Sequence, residues 1–134
     1  IALLIAKIVH AVAYAHQQGI IHRDLKPANI MIAKNMEPYV MDFGLAKLVE
    51  GSENLTQAGM VIGTPAYMSP EQAEGKNEVV DSLSDVYSLG AILYYALTYN
   101  PPFLGASTWE ILVKVVESPP ILPRQIVPEI PCLT

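Results

Sequence analysis

The chain has 134 residues, which is enough for one domain and too few for two of ordinary size. Its net charge is -5 and its eight Lys and Arg residues are dispersed, so the composition argues against a nucleic-acid-binding surface. Hydrophobic residues make up 51% of the chain. The longest nearly uncharged apolar stretch, 89–99, is nevertheless shorter than the roughly 20 residues that a membrane-spanning helix requires. The single cysteine, Cys132, excludes an internal disulfide framework and fits a reducing compartment such as the cytoplasm.

The first half of the chain predicts a helix, a small hairpin and a long loop. Over 1–18, apolar residues recur at helical spacing: Ile1, Leu4, Ile8, Val12 and Ala15. Gly19 then stands where a helix end favours a residue that tolerates left-handed geometry. Two short strands at 30–32 and 39–41 flank a turn and predict an antiparallel hairpin. The segment 42–70 has no sustained period, and a loop of that length in a compact domain is usually functional or disordered.

The second half predicts two more helices. Helical spacing resumes near Ser84 and ends before Pro101. Ser107 and Glu110 resemble a capping box that opens a helix carrying Trp109. After Ser118 the chain is rich in proline, and no further element is predicted. The expected fold class is therefore mainly α, with one small β-hairpin.

Four short motifs point to the chemistry. The segment 22–29 reads His-Arg-Asp-Leu-Lys-Pro-Ala-Asn, and Asp-Phe-Gly follows at 42–44 beyond the predicted hairpin. The segments 63–71 and 84–90 read Gly-Thr-Pro-Ala-Tyr-Met-Ser-Pro-Glu and Ser-Asp-Val-Tyr-Ser-Leu-Gly. Together they resemble the catalytic loop, the metal-binding motif, the end of the activation segment and the following helix of eukaryotic-like (Hanks-type) serine/threonine protein kinases. The wording most resembles bacterial members. Without this resemblance, the first motif would read as a polar turn before an ordinary hairpin.

The resemblance implies an α+β protein kinase-like fold and three catalytic residues. Asp24 would accept a hydrogen bond from the substrate hydroxyl and act as base. Lys26 would place a positive charge near the transferring phosphate. The Thr64 hydroxyl would bond both Asp24 and Lys26, although a threonine there would otherwise read as a turn residue.

The same resemblance implies ATP and Mg²⁺ as cofactors. Asn29 and Asp42 supply hard oxygen ligands of the kind that Mg²⁺ prefers. Lys26 and Met31 would also contact the nucleotide, with Met31 packing beneath the adenine. An apolar residue on a short strand is otherwise more often only part of the core.

Regulatory and supporting residues follow from the resemblance as well. Arg23 and Lys47 would contact a phosphorylated activation loop, with Thr56 as the acceptor and Ser52 behind it. The alternative for Thr56 is a solvated loop residue. Asp85 would anchor the backbone of the catalytic loop. Glu71 would lack the arginine that pairs with it in the family.

The expected protein is a fragment of an enzyme. The chain contains no G-x-G-x-x-G and no strand Lys paired with a helix Glu, so 1–134 would form a partial catalytic domain, the C-terminal lobe without its last helices. Its partners would be the missing N-terminal lobe of the same kinase and a protein substrate, with no nucleic acid and no membrane contact. A truncated, catalytically inactive binding module is the alternative. A small-molecule phosphotransferase is a third possibility, but the Ser-Pro-Glu segment argues against it.

Overall fold

The computed structural model describes residues 1–43 and 65–131. Within these ranges the chain forms five α-helices and one two-stranded sheet. The elements are α1 Ala2–Gln17, β1 Ile30–Ile32, β2 Pro38–Val40, α2 Pro70–Ala73, α3 Ser82–Thr98, α4 Thr108–Glu117 and α5 Pro123–Ile126. Single 3₁₀ turns lie at Pro27–Asn29, Pro65–Tyr67 and Asn77–Val79. The predicted class, mainly helical with a small hairpin, is confirmed.

Helix α1 has the boundaries that its pattern predicts. It buries Ile8, Val12 and Ala15, which lie on the predicted apolar face. Gly19 follows the helix with φ +74°, a backbone conformation that glycine adopts without steric cost. The chain therefore turns sharply after α1 and enters the segment 22–29.

The hairpin pairs β1 with β2 in antiparallel register, Ile30 opposite Val40 and Met31 opposite Tyr39. The second strand begins one residue earlier than predicted, because Pro38 occupies the strand end opposite Ile32. Proline is tolerated there since it needs no ladder hydrogen bond at a strand start. Ile30 and Val40 pack against the core, so one face of the hairpin is held by α1 and its surroundings.

Helix α3 is the central element of the described chain. It begins two residues earlier than predicted, because the Asp81 carboxylate accepts a hydrogen bond from the backbone N–H of Leu83 (2.8 Å) and caps the helix. It ends at Thr98, and the residue that follows, Tyr99, has left-handed backbone at φ +56°. Helix α3 contacts α1, the turn at Pro65–Tyr67 and α5.

Helix α4 begins at the predicted cap. The Ser107 hydroxyl accepts from the backbone N–H of Glu110 (3.2 Å). The Glu110 carboxylate accepts from the N–H of Ala106 (2.8 Å) instead of that of Ser107, so the capping box is only half formed. The helix buries Leu112 and Val115, while Trp109 is 74% exposed.

Helices α2 and α5 were not predicted. Each has four residues, too few for a hydrophobic period, and each begins with proline, at Pro70 and at Pro123. Proline favours the first helical position because its fixed φ suits a helix and its missing N–H has no partner there anyway. In the proline-rich segment after Ser118, Pro123 therefore marks the start of a helix.

One core holds these elements together. Its buried members come from α1, the segment 22–29, the turn before α2 and helix α3: Ile8, Val12, Leu25, Ala66, Tyr67, Leu89, Ala91 and Ile92. Within the described ranges, no helix is long and apolar enough to cross a membrane.

Candidate active site

The segment 22–29 brings together three of the predicted site residues. Leu25 is 2% exposed and packs into the core, and the following residue, Lys26, has an extended backbone. The side chains of Asp24 and Lys26, on either side of Leu25, are partly exposed, at 39% and 22%. The Lys26 ammonium nitrogen lies 3.3 Å from Asp24 Oδ2. The Asn29 amide, on the 3₁₀ turn that follows, donates to the Asp24 carbonyl oxygen (2.8 Å).

His22 connects this segment to the end of β2. The residue is fully buried. Its Nδ1 accepts from the backbone N–H of Asp24 (3.1 Å), so Nε2 carries the proton and donates to the Met41 carbonyl (2.8 Å). The Phe43 ring contacts the imidazole edge-on with centroids 4.7 Å apart. Asp42, between Met41 and Phe43, is thereby placed near the segment 22–29.

Asp85, on the first turn of α3, fixes the start of the segment 22–29. Its carboxylate is 1% exposed and accepts from the backbone N–H groups of His22 (2.8 Å) and Arg23 (2.9 Å). This is the anchoring contact expected from the resemblance. His16 Nε2 lies 2.7 Å from the same carboxylate. No motif in the sequence points to a functional role for His16, because its partner is 69 residues away.

Two residues of the site have left-handed backbone. Arg23 has φ +70° and Asp42 has φ +64°. For a side-chain-bearing residue this conformation costs about 1 kcal/mol or more, and such residues persist only where their surroundings hold them. The Arg23 carbonyl accepts from the side-chain amide of Gln72 on α2 (2.6 Å). Gln72 is a second residue that the sequence did not single out.

The predicted nucleotide-facing residues are accessible. Met31 is 51% exposed on β1, beside its cross-strand neighbour Tyr39, which is 53% exposed. Asp42 is exposed at the end of the hairpin. Met31 therefore does not belong to the buried core, which was the alternative interpretation of an apolar residue on a short strand.

Four predicted residues lie outside the described ranges. They are the catalytic candidate Thr64 and the regulatory candidates Lys47, Thr56 and Ser52. Gly44 of the Asp-Phe-Gly motif and Cys132 also lie outside them. Arg23, the remaining regulatory candidate, lies within the described ranges and directly precedes Asp24.

Glu71 is not without a partner, contrary to expectation. Its Oε1 accepts from the Ser84 hydroxyl on α3 (2.5 Å). Burial acts to raise the pKa of Glu71, but hydrogen bonds from Ser84, the backbone and Ser69 together outweigh it and hold that pKa below its ordinary value. A hydroxyl from the next helix is therefore a partner of Glu71 within the described residues.

Comparison with known proteins gives consistent matches. A family profile described as the protein kinase domain matches residues 1–127. Serine/threonine-protein kinase PknB of Mycolicibacterium smegmatis is 50% identical over 123 residues, which cover 91% of this chain and 19% of that protein. PknB of Mycobacterium leprae is 49% identical over 122 residues, with 91% and 19% covered. The DNA damage-responsive serine/threonine-protein kinase RqkA of Deinococcus radiodurans is 45% identical over 121 residues, with 90% and 18% covered. The chain thus spans about a fifth of the length of these curated relatives.

Proposed function

The chain belongs to the protein kinase family, and on this premise we propose that it forms most of the C-terminal lobe of a bacterial serine/threonine protein kinase. The proposed reaction transfers the γ-phosphate of ATP to serine or threonine hydroxyls of protein substrates. The observation that carries the proposal is the meeting of Asp24, Lys26 and Asn29 on one short segment, with Lys26 Nζ 3.3 Å from Asp24 Oδ2 and the Asn29 amide on the Asp24 carbonyl.

The chain's own residues would divide the chemistry as follows. The Asp24 carboxylate, 39% exposed, would accept the proton of the attacking hydroxyl. Lys26 would hold positive charge beside the phosphoryl oxygens, where negative charge develops. Thr64 would bond to both of these side chains.

The residues also fit the cofactors in their chemistry. The Asn29 side chain is buried with its amide nitrogen bonded to Asp24, which leaves the amide oxygen as a ligand atom. Together with the exposed Asp42 carboxylate it forms an all-oxygen donor set of the type that suits Mg²⁺. Mg²⁺ when bound would neutralise charge on the ATP phosphates. Met31 would pack against the adenine.

The regulatory residues complete the proposal. Arg23 and Lys47 would contact a phosphate on Thr56 and order the segment between the Asp-Phe-Gly motif and α2. An N-terminal lobe of the same kinase would supply the glycine-rich loop and the Lys–Glu pair, and ATP would bind between the two lobes. The location proposed for this catalytic portion is the cytoplasm, where ATP is abundant.

A chimaeric enzyme tests the proposal. Residues 1–127 would replace the matching segment of the kinase domain of M. smegmatis PknB, which supplies the remaining parts. We expect ATP-dependent phosphorylation of a protein substrate, and we expect Asp24→Asn to lower kcat by about 100-fold or more with little change in the KM for ATP. Asp81→Asn is the matched control, because asparagine caps a helix as well as aspartate does.

The test also separates the competing interpretation. An inactive chimaera, or one in which Asp24→Asn and Asp81→Asn lose the same activity, would contradict the kinase proposal and favour the inactive binding module. The 134-residue chain alone is expected to show no phosphotransfer, since the glycine-rich loop and the Lys–Glu pair are absent from its sequence.

A further inference from the structure

Gln72 joins two parts of the molecule that the sequence keeps 49 residues apart. It is the third residue of α2. Its Oε1 accepts from the backbone N–H of Ser69, the residue before the helix (3.1 Å). Its Nε2 donates to the Arg23 carbonyl (2.6 Å). Because a backbone N–H only donates and a carbonyl only accepts, these two partners fix which way the amide points.

The peptide bond that Gln72 reaches is the one that leads into Asp24. Its carbonyl oxygen, from Arg23, is held by Gln72. Its N–H, from Asp24, donates to His22 Nδ1 (3.1 Å). The preceding N–H, of Arg23, donates to Asp85 Oδ1 (2.9 Å). The plane of this peptide bond is therefore fixed on both sides.

These hydrogen bonds hold the backbone next to a residue with a strained conformation. Arg23 is left-handed at φ +70°, so a relaxed chain would favour rotation of this peptide. The side-chain direction of Asp24 follows from the orientation of the peptide before it. A change of about an ångström in the position of a catalytic group is enough to lower a rate strongly.

We propose that Gln72 is a positioning residue for phosphoryl transfer, which holds the Arg23–Asp24 peptide so that the Asp24 carboxylate points toward the substrate hydroxyl. The inference rests on the proposed kinase function and adds a residue to it. Gln72 also connects the start of α2, and with it the buried Ser69, to the segment 22–29.

A purely local role for Gln72 is the competing explanation, and the chain contains a control for it. Gln125 is the third residue of α5, which also begins with proline, and its Oε1 accepts from the N–H of Leu122 at the same distance of 3.1 Å. Glutamate at this third position caps a helix at least as well as glutamine. Gln→Glu therefore preserves the local cap at both helices and removes the amide donor that reaches Arg23 only in α2.

The experiment compares Gln72→Glu, Gln72→Met and Gln125→Glu in the chimaeric enzyme. Turnover is measured per nucleotide-binding site, with sites counted by titration with a fluorescent ATP analogue. We expect both Gln72 variants to lower kcat per site by about three- to tenfold, the size of effect that one lost hydrogen bond gives, with the KM for ATP within about twofold of the parent. Gln125→Glu is expected to match the parent.

Each result decides the matter. Equal turnover per site in Gln72→Glu and Gln125→Glu would overturn the inference. A loss of binding sites in the Gln72 variants without a loss of turnover per site would make the residue merely structural and would overturn it too. A parent chimaera without Asp24-dependent phosphotransfer would contradict the proposed function, and the inference about Gln72 would fall with it. An active parent whose Gln72 variants turn over normally would contradict the inference alone, so the two failures are distinguishable.

Discussion

Helices α2 and α5 begin with a similar arrangement of proline and glutamine and differ in the contacts that the glutamine makes. In both, proline occupies the first position and a glutamine at the third position accepts from the backbone N–H before the helix, at 3.1 Å in each case. The α2 glutamine, Gln72, also donates to the Arg23 carbonyl, whereas the hydrogen bond described for Gln125 stays within its own helix start. The carbonyl of Ile121, just before α5, instead accepts from the Tyr94 hydroxyl of α3 (2.7 Å).

The difference shows how little of a residue's role is local. Both short helices have a proline at the first position and a glutamine at the third, an arrangement that favours the start of a helix. Only tertiary placement turns one copy into a support for the segment that carries Asp24. The following predictions test this contrast, from the largest expected effect to the smallest.

Asp85 holds the same peptide region from the opposite side, so its loss should have the largest effect. Asp85→Asn removes a buried carboxylate that accepts two backbone N–H groups, and we expect the free energy of unfolding of the chimaera to fall by about 3 kcal/mol. Urea denaturation measures this. The control is Asp81→Asn, four residues earlier at the helix cap, which should change stability by less than about 0.5 kcal/mol. Equal stability of the two variants would contradict the anchoring role.

His16 supports Asp85 and should show a smaller effect. Its Nε2 lies 2.7 Å from the Asp85 carboxylate, so His16→Leu leaves a buried charge with one partner fewer and should cost about 1–2 kcal/mol. His10 lies on the same helix and is exposed, which makes His10→Leu the control. Thermal unfolding of the two variants measures the difference. A matching melting temperature would show that the contact contributes nothing.

The smallest expected effect concerns the second position of α2, where Glu71 stands and α5 has Arg124. The pKa of Glu71 is lowered, because hydrogen bonds outweigh the raising effect of burial. A carboxyl group whose pKa is lowered by folding stabilises the fold at pH values above its unfolded pKa. This stabilisation is lost as the pH falls through the pKa of the folded state.

Ser84→Ala removes the hydroxyl that donates to Glu71 (2.5 Å), so the pKa of that carboxyl should rise. We expect a cost of about 1 kcal/mol at neutral pH, kept small by the partial exposure of Glu71, and a smaller loss of stability on acidification. Melting temperatures measured from about pH 7 to about pH 4 test this. Parallel curves for the parent and Ser84→Ala would exclude the contact as the cause of the lowered pKa.

The sequence predicted the elements whose signals are local. Helix α1 with its terminal Gly19, the hairpin and the Ser107 cap all depend on neighbouring residues. Helix α3 starts two residues before its periodic pattern does, because Asp81 caps it at that point. Such boundary errors arise where a cap and a periodic pattern compete as signals.

The remaining features depend on contacts between distant parts of the chain. The partners of His16, Gln72 and Ser84 lie 69, 49 and 13 residues away. A single sequence carries no local signal for such pairs, since a glutamine near a helix start or a histidine near a helix end has many ordinary explanations. The contacts of His16, Gln72 and Ser84 therefore became visible only in the structure, whereas the anchoring role of Asp85 was expected from the resemblance.

The most direct test of the central claim is to identify what the chimaera modifies. The enzyme would be incubated with Mg²⁺, ATP and a protein that offers serine, threonine and tyrosine, and the products would be mapped by mass spectrometry. The account predicts phosphoserine and phosphothreonine that depend on Asp24. A product free of phosphate, or the same phosphate content with Asp24→Asn, would contradict it.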